Sequence, residues 1–329
     1  MILLNDTDFE ATLFRTVLSE QTMVGTVVCK RTYAMGEDGQ LRPAATRHGV
    51  TAKPWTIGEV EFPSDAGYGK LGVDLLVVGN AYAPGGRPLQ AMMAGISVDD
   101  AYMGVAIFGD RRWVRRWSGF QTSDPEPFAK IALTWSHAFG GVAQNQGGAM
   151  PHADNPLGKG YVPNPADAEG VELPNIEDPA ALIRTPRDQP KPVCLCPLPL
   201  GTSYSADLLD HVEAGGTGEG LTTEIYNIAI PAHRLPRYTP GACLRLHNLA
   251  SVPIPAQHLP STQLVAQVDI GSARYEFLGE VDTITVLPEE RELILTHRVV
   301  FRYAYARRLP RVVRLRTSQT QVALARTGT

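Results

Sequence analysis

Short apolar segments separated by turn residues recur along this chain and predict strands. Residues 22–34 are rich in Val, Thr and Tyr, and residues 71–82 have a continuously apolar centre, which is typical of a strand covered on both faces. Two more strands are predicted at residues 89–98 and 104–108, with Asp99-Asp100 at the corner between them. A meander of short strands at this spacing is typical of a sandwich or barrel.

The C-terminal half continues the pattern of strands. Residues 203–212 predict a short helix capped by Ser203 or Ser205, and residues 269–274 predict a hairpin turn. Apolar and basic residues mix in residues 311–316, as on a half-buried strand. The other strands are predicted at residues 223–230, 242–246, 263–269, 274–278, 283–287 and 292–305.

Together these elements predict a mainly β, antiparallel protein with sandwich-like lobes and few short helices. Residues 186–199 are rich in proline, which excludes a long helix or a central strand and favours an extended crossing between two halves. We therefore predict an N-terminal β lobe (1–140), a loop and connector (141–200) and a C-terminal β lobe (201–329). One continuous β domain is the alternative, because strand order is not readable from a single sequence.

Residues 135–179, here called the signature loop, show neither helical nor strand periodicity. Their Gly, Pro and Asn residues form compact turn units, which favour an ordered, folded-back loop over a disordered one. The side chain of Asn175 is expected to bond its own backbone near Glu177-Asp178-Pro179. The residues expected to shape this loop or bind a partner are Phe139, Gly140, Gly141, Asn155, Pro156, Gly158, Gly160, Leu173, Pro174, Asn175, Glu177 and Asp178.

Three segments of the signature loop, at residues 138–141, 155–161 and 173–179, resemble a bacterial family of unknown function that is found beside type VI secretion genes. The order of the matching segments along the chain makes the resemblance specific, and it spans roughly residues 20–300. Other segments that resemble the family lie at residues 79–88, 108–113 and 125–128, with weaker ones at 226–231 and 282–284.

This resemblance implies a cytoplasmic adaptor or chaperone. Such a protein would bind a toxic effector protein and help load it onto the VgrG spike and its PAAR tip. No nucleotide is expected as a ligand, because Gly215–Gly220 lacks the Lys-Ser/Thr of a phosphate loop. The arginine-rich end of the chain has no counterpart in the family, so the resemblance says nothing about partner specificity there.

Composition adds few constraints. The chain has 329 residues, a formal net charge of −4 and no apolar run long enough to cross a bilayer, so neither nucleic acid nor a membrane is indicated as a partner. The first eight residues lack the basic start of a secretory signal, which favours the cytoplasm. Cys194 and Cys196 are too close for the usual zinc knuckle, and no disulfide framework is expected.

Two arginine-rich segments are candidates for surface contact. In residues 108–117 the arginines interleave with tryptophans, which fits an inward Trp with Asp110 pairing an arginine, a nucleic-acid surface or a protein interface. Residues 298–316 contain seven arginines and fit a solvated face or a basic patch for an acidic partner. The candidate contact residues are Asp110, Arg112, Trp113, Trp117, Arg311 and Arg314.

We found no catalytic motif, and no cofactor or metal site is predicted. Neither a G-x-S-x-G nor an H-E-x-x-H sequence occurs. The alternative to an adaptor is a hydrolase for carbohydrate or peptide, with Asp110, His137, Glu177 and Asp178 converging in a cleft. The same carboxylates are also suited to accept bonds from backbone N–H groups and arginines that fix the loop.

Overall fold

A computed structural model of the chain describes residues 1–17, 22–145, 148–199, 223–270, 272–304 and 310–318. The strands up to residue 140 are β1 (Ile2–Asn5), β2 (Glu10–Val17), β3 (Thr22–Met35), β4 (Leu41–Pro43), β5 (Trp55–Ile57), β6 (Val60–Phe62), β7 (Val73–Val77), β8 (Asn80–Tyr82), β9 (Ala91–Val98), β10 (Ala101–Phe108), β11 (Trp113–Arg116), β12 (Gly119–Thr122), β13 (Lys130–Ala132) and β14 (Phe139–Gly140). The strands after it are β15 (Val142–Asn145), β16 (Gly148–Pro151), β17 (Lys159–Gly160), β18 (Ile176–Glu177), β19 (Arg234–Leu235), β20 (Cys243–His247), β21 (Gln257–His258), β22 (Gln263–Ile270), β23 (Ala273–Leu278), β24 (Glu280–Leu287), β25 (Glu292–Ala304) and β26 (Pro310–Ser318).

The predicted fold class is confirmed: the described residues are mainly β and mostly antiparallel. Their helical segments are short 3-10 turns, and no described helix is long and apolar enough to cross a membrane. The turns lie at Pro84–Gly86, Trp135–His137, Pro165–Asp167, Thr223–Tyr226 and Pro231–His233.

A seven-stranded sheet forms the centre of the molecule, in the order β19-β7-β24-β25-β3-β2 with β4 added to β3. Its two longest strands, β3 and β25, pair antiparallel from Thr22–Ala304 to Ala34–Glu292. Strand β7 pairs parallel with β24, so strands from the two halves of the chain lie side by side. Whether residues 1–140 and 201–329 fold as separate units stays a prediction.

The main core lies between this sheet and a five-stranded sheet of order β18-β10-β9-β20-β21. Leu75 and Ile284 on the first sheet and Ile96 and Val105 on the second are fully buried there. The proline-rich connector, residues 186–199, contains neither a helix nor a strand, and its Leu195 carbonyl accepts a hydrogen bond from Val77 N at 2.9 Å. The connector is therefore part of this core.

A second core lies at the other end of the long strands. There a four-stranded sheet of order β1-β26-β22-β23 packs on β3 and β25. Val27, Phe301, Val268 and Leu315 are fully buried in this cluster. Because β3 and β25 contribute to both cores, the two ends of the molecule share the same backbone ladders.

Most strands lie where the sequence predicted them, with two corrections. Residues 71–82 form two strands, β7 and β8, instead of one. The strand predicted at 223–230 is wrong: Thr223–Tyr226 is a 3-10 turn, and Ile228 N donates to the buried Asp74 carboxylate at 2.8 Å in place of a neighbouring strand. The helix predicted at 203–212 and the glycine-rich turn at 215–220 lie outside the described residues.

Candidate functional site

The signature loop folds back on itself around a small core of its own. Its short strands β14 and β17 pair in parallel, with Phe139 beside Lys159 and Gly140 beside Gly160. The core residues come from the loop and the segments that flank it: Trp113, Phe139, Val162, Ala168, Leu173 and Ile183. The order predicted for this passage therefore has a physical cause, since apolar side chains from both ends of the loop meet.

Asn155 is the central hydrogen-bonding residue of this loop. Its side chain is fully buried and donates to the carbonyl oxygens of Trp135 and Phe139, both at 2.9 Å. Its own carbonyl accepts from Gly141 N at 2.8 Å. Gly140 has a φ of +138°, and a Cβ added there would lie 2.1 Å from the Asn155 carbonyl oxygen, so only glycine permits this approach.

Asn175 joins the loop to β10. Its side-chain amide donates to Phe108 O at 3.0 Å and to the Asp110 carboxylate at 2.9 Å. Its backbone N donates to His137 O at 2.8 Å. The prediction that Asn175 bonds its own backbone is therefore wrong: it bonds a segment more than sixty residues earlier in the chain.

A buried ion pair between Arg111 and Glu177 holds the end of the loop. Both side chains are almost fully buried, and Arg111 also lies over the Phe108 ring with its guanidinium 3.8 Å from the ring centre. The other Glu177 oxygen accepts from Ile183 N at 2.8 Å. Burial raises the pKa of Glu177, and the adjacent Arg111 charge opposes that rise.

The four residues of the hydrolase hypothesis have structural partners. Both oxygens of Glu177 are engaged, and an Asp178 oxygen accepts from Ala180 N at 2.8 Å. Asp110 bonds Asn175 and lies 3.6 Å from the Lys159 ammonium, so its cation is a lysine and not the arginine that the sequence suggested. His137 Nδ1 bonds the Thr134 hydroxyl at 2.9 Å. This geometry does not favour hydrolysis.

Burial separates the loop residues that the sequence singled out. Gly158, Gly160 and Asp178 are half-buried, and Pro156 is exposed. The buried ones are Phe139, Gly140, Gly141, Asn155, Leu173, Pro174, Asn175 and Glu177. The buried residues are placed to shape the loop, and they present little surface to a partner.

The hairpin β11–β12 carries two tryptophans in opposite environments. Trp113, at its base, is 1% exposed in the loop core, so the prediction that it contacts a partner at the surface is wrong. Trp117, at its tip, is 100% exposed. Arg112 is exposed beside the hairpin, and Arg115 lies over the Phe120 ring.

Three of the C-terminal arginines form ion pairs within the described structure. Arg314 pairs with Asp6 at 2.8 Å, and Arg316 pairs with Glu276. Arg298 is buried and pairs with Asp282. Arg311 lies on β26, and the arginines at 307 and 308 lie outside the described residues. Arg298, Arg314 and Arg316 are therefore each paired with a carboxylate, and a basic patch for an acidic partner at this end of the chain stays a prediction.

Sequence reasoning missed a polar cavity on the seven-stranded sheet, of about 230 Å³. Across the sheet at this cavity runs a row of four polar residues, one on each of four adjacent strands, here called the polar row, and three of them, Lys30, Thr283 and Thr296, line the cavity. The backbone register aligns Asp74 (β7), Thr283 (β24), Thr296 (β25) and Lys30 (β3). These residues come together only through the pairing of strands that are distant in the sequence, so no local sequence motif predicts them.

One comparison places the chain in a family. No curated protein and no solved structure matched it. Residues 20–298, however, match the family model described as "Uncharacterized protein conserved in bacteria (DUF2169)". That span includes the signature loop, the tryptophan hairpin and the polar row. The chain therefore belongs to the DUF2169 family of conserved bacterial proteins.

Proposed function

We propose that this chain is a non-enzymatic adaptor that binds a type VI secretion effector and helps load it onto the PAAR/VgrG spike. The secretion context comes from the resemblance of the signature segments. Family membership supports only the bacterial and β-rich part of this description. The proposal therefore needs support from a surface suited to protein binding.

The single observation that carries the proposal is Trp117. A tryptophan that is 100% exposed leaves its whole ring in water, so a partner that covered it would gain the free energy of burying that apolar surface. Tryptophan is among the residues that contribute most to protein–protein binding. The hairpin that presents it is anchored by the buried Trp113, so the ring is displayed from a fixed base.

The signature loop adds further apolar surface. Val142 and Met150 lie on the hairpin β15–β16 and are 48% and 39% exposed, and Leu157 nearby in the chain is 61% exposed. Tyr161 contacts this hairpin, since its hydroxyl donates a hydrogen bond to the Met150 sulfur at 3.6 Å. An effector chaperone needs such surface, because its task is to cover apolar segments of its cargo.

The test is a pull-down with the tagged full chain from the native bacterium, in cells that express the secretion genes. The wild-type chain is expected to recover an effector, a PAAR protein or VgrG, and Trp117→Ser to recover much less. Val252→Ser is the matched control, because Val252 is 65% exposed on another part of the surface. Recovery of none of these partners would overturn the adaptor function. Equal recovery by Trp117→Ser would move the contact away from the hairpin.

A further inference from the structure

The cavity on the seven-stranded sheet is built from charged and polar side chains that serve no purpose in the proposed adaptor function. On the polar row, Lys30 is 2% exposed and Asp74 is fully buried. A β-bulge at Val281–Thr283 brings the neighbouring Asp282 within reach of Arg298. Bulges often occur where a sheet must aim a side chain at a functional site.

This arrangement is costly for a structural role. Burying an ion pair removes two charges from water, and an apolar pair of similar size often gives equal or greater stability. Three such pairs meet at this cavity: Lys30 with Asp65, Lys70 with Asp74, and Arg298 with Asp282. Just beyond the row, the same face of the sheet packs Leu76 and Ile294 in an ordinary apolar cluster. The polar row is thus a local departure from apolar packing.

The cavity surface favours an anion. Of the described residues that line it, Lys30, Lys70 and Arg298 are cationic and only Asp65 is acidic. The partner carboxylates of Lys70 and Arg298 are not among the lining residues, so the cavity surface presents these two cations and not their carboxylates. Thr285 and Thr296 add hydroxyl groups, whereas the Thr283 hydroxyl already donates to Asp282 at 2.8 Å.

Trp55 places an aromatic ring in the cavity wall. Its Nε1 is buried with no hydrogen-bond partner in the described structure and is shielded from the cavity, so it does not contribute a donor to a ligand. The Lys30 ammonium lies 3.8 Å from the centre of this ring, a cation–π contact that holds the ammonium at the cavity.

The remaining wall is apolar and limits the size of a ligand. Phe62, Ile225, Ile228 and Ile294 line it. A cavity of about 230 Å³ holds roughly eight non-hydrogen atoms, if each takes about the volume of a water molecule. We infer that this cavity binds a small monocarboxylate with a short aliphatic chain, its carboxylate on Lys70 and Thr296 and its chain against the isoleucines.

The test is calorimetric titration and thermal unfolding of the full chain with hexanoate, hexanol and hexylamine at constant ionic strength. Hexanoate is expected to bind saturably and raise the unfolding temperature, whereas hexanol and hexylamine are not. Thr296→Val removes one hydroxyl donor while it keeps the shape of the side chain, and it should weaken the binding of hexanoate about tenfold. Lys70→Met should weaken hexanoate binding at least as much. Lys130→Met changes an exposed lysine and should leave hexanoate binding unchanged.

A peptide with a free or amidated C-terminal leucine distinguishes a free acid from a chain terminus as the source of the carboxylate. Binding of the free-acid peptide alone would keep the carboxylate site and assign it to a polypeptide end. Equal binding of hexanol and hexanoate, or no binding by any acid, would overturn the inference. Because Thr296→Val preserves shape, its effect on binding can be separated from a failure to fold. The inference is independent of the adaptor function, which the pull-down tests separately.

Discussion

At the scale of single residues, the signature loop depends on buried polar contacts that few other side chains could make. Asn155 and Asn175 each donate two hydrogen bonds from a fully buried amide. One oxygen of Glu177 accepts a hydrogen bond from Arg111, and the other accepts one from Ile183 N. These residues were recognisable from the sequence as unusual. Their partners were not, because those partners lie up to sixty-seven residues away in the chain.

The buried pair of Arg111 and Glu177 gives the first residue-scale prediction. Arg111→Met should reduce the free energy of unfolding by roughly 3–5 kcal/mol, because Glu177 would remain buried without its cation. The double variant Arg111→Met/Glu177→Leu should regain part of that loss. Arg314→Met, which breaks an ion pair about half exposed on both sides, should cost at most about 1 kcal/mol.

Urea denaturation of these three variants and of the single variant Glu177→Leu measures these differences. The prediction rests on the penalty for an unpaired buried charge. It therefore requires the double variant to lose less unfolding free energy than the sum of the losses caused by Arg111→Met and Glu177→Leu. A double variant that loses the full sum would mean that the two residues act independently, and the loop would owe its stability to something else.

Gly140 gives a second prediction at this scale. Gly140 and Gly119 both have positive φ, at +138° and +114°, but only Gly140 faces a backbone oxygen within clash distance. Gly140→Ala should therefore lose about 1–3 kcal/mol more unfolding free energy than Gly119→Ala, since both share the backbone strain and only one adds overpacking. Equal losses in thermal or chemical unfolding would show that the loop can shift away from Asn155.

At the scale of elements, sequence periodicity located most strands because alternation within one strand is a local property. It could not sort the residues of β11–β12, since Trp113 and Trp117 are equally apolar and differ only in what the rest of the chain brings to them. The polar row is a clearer case. Thr283 and Thr296 resemble ordinary strand threonines, and only the register of β7, β24, β25 and β3 shows that Lys30 and Asp74 continue the row.

The tryptophan hairpin yields the element-scale prediction. Trp113→Ala should destabilise the protein by roughly 3–5 kcal/mol, because it empties a fully packed position in the loop core. Trp117→Ala should change stability by less than about 0.5 kcal/mol, because its ring is in water. The comparison is made by chemical denaturation. A large loss from Trp117→Ala would indicate that its ring packs against the protein, and the argument for a partner-binding tip would fail.

At the scale of the whole molecule, the shared seven-stranded sheet makes both cores depend on β3 and β25. Two buried histidines belong to this framework: His297 on β25 beside Phe9, and His233, whose Nδ1 donates to Cys194 O at 3.1 Å. Burial lowers the pKa of each to about 4, and for His297 the opposing attraction of Asp282 is smaller than the burial effect.

The sign of the resulting pH dependence follows directly. Between pH 6.5 and about 4 these histidines bind protons in the unfolded chain and not in the folded protein. Stability should therefore fall as the pH falls through this window, by up to about 1.4 kcal/mol per pH unit for each histidine. Below about pH 4 their contribution should cease to change, because both states are then protonated.

Denaturation curves at several pH values between 7 and 4 test this on the full chain. His297→Leu should reduce the slope of stability against pH by up to the contribution of one histidine, because leucine takes up no proton. This expectation holds whatever the substitution does to stability at pH 7. His258→Leu, at an exposed histidine, serves as the control and should keep the slope. If His297→Leu retains the wild-type slope, His297 must already be protonated in the folded protein. The buried carboxylate of Asp282 would then be its natural counter-ion, shared with Arg298.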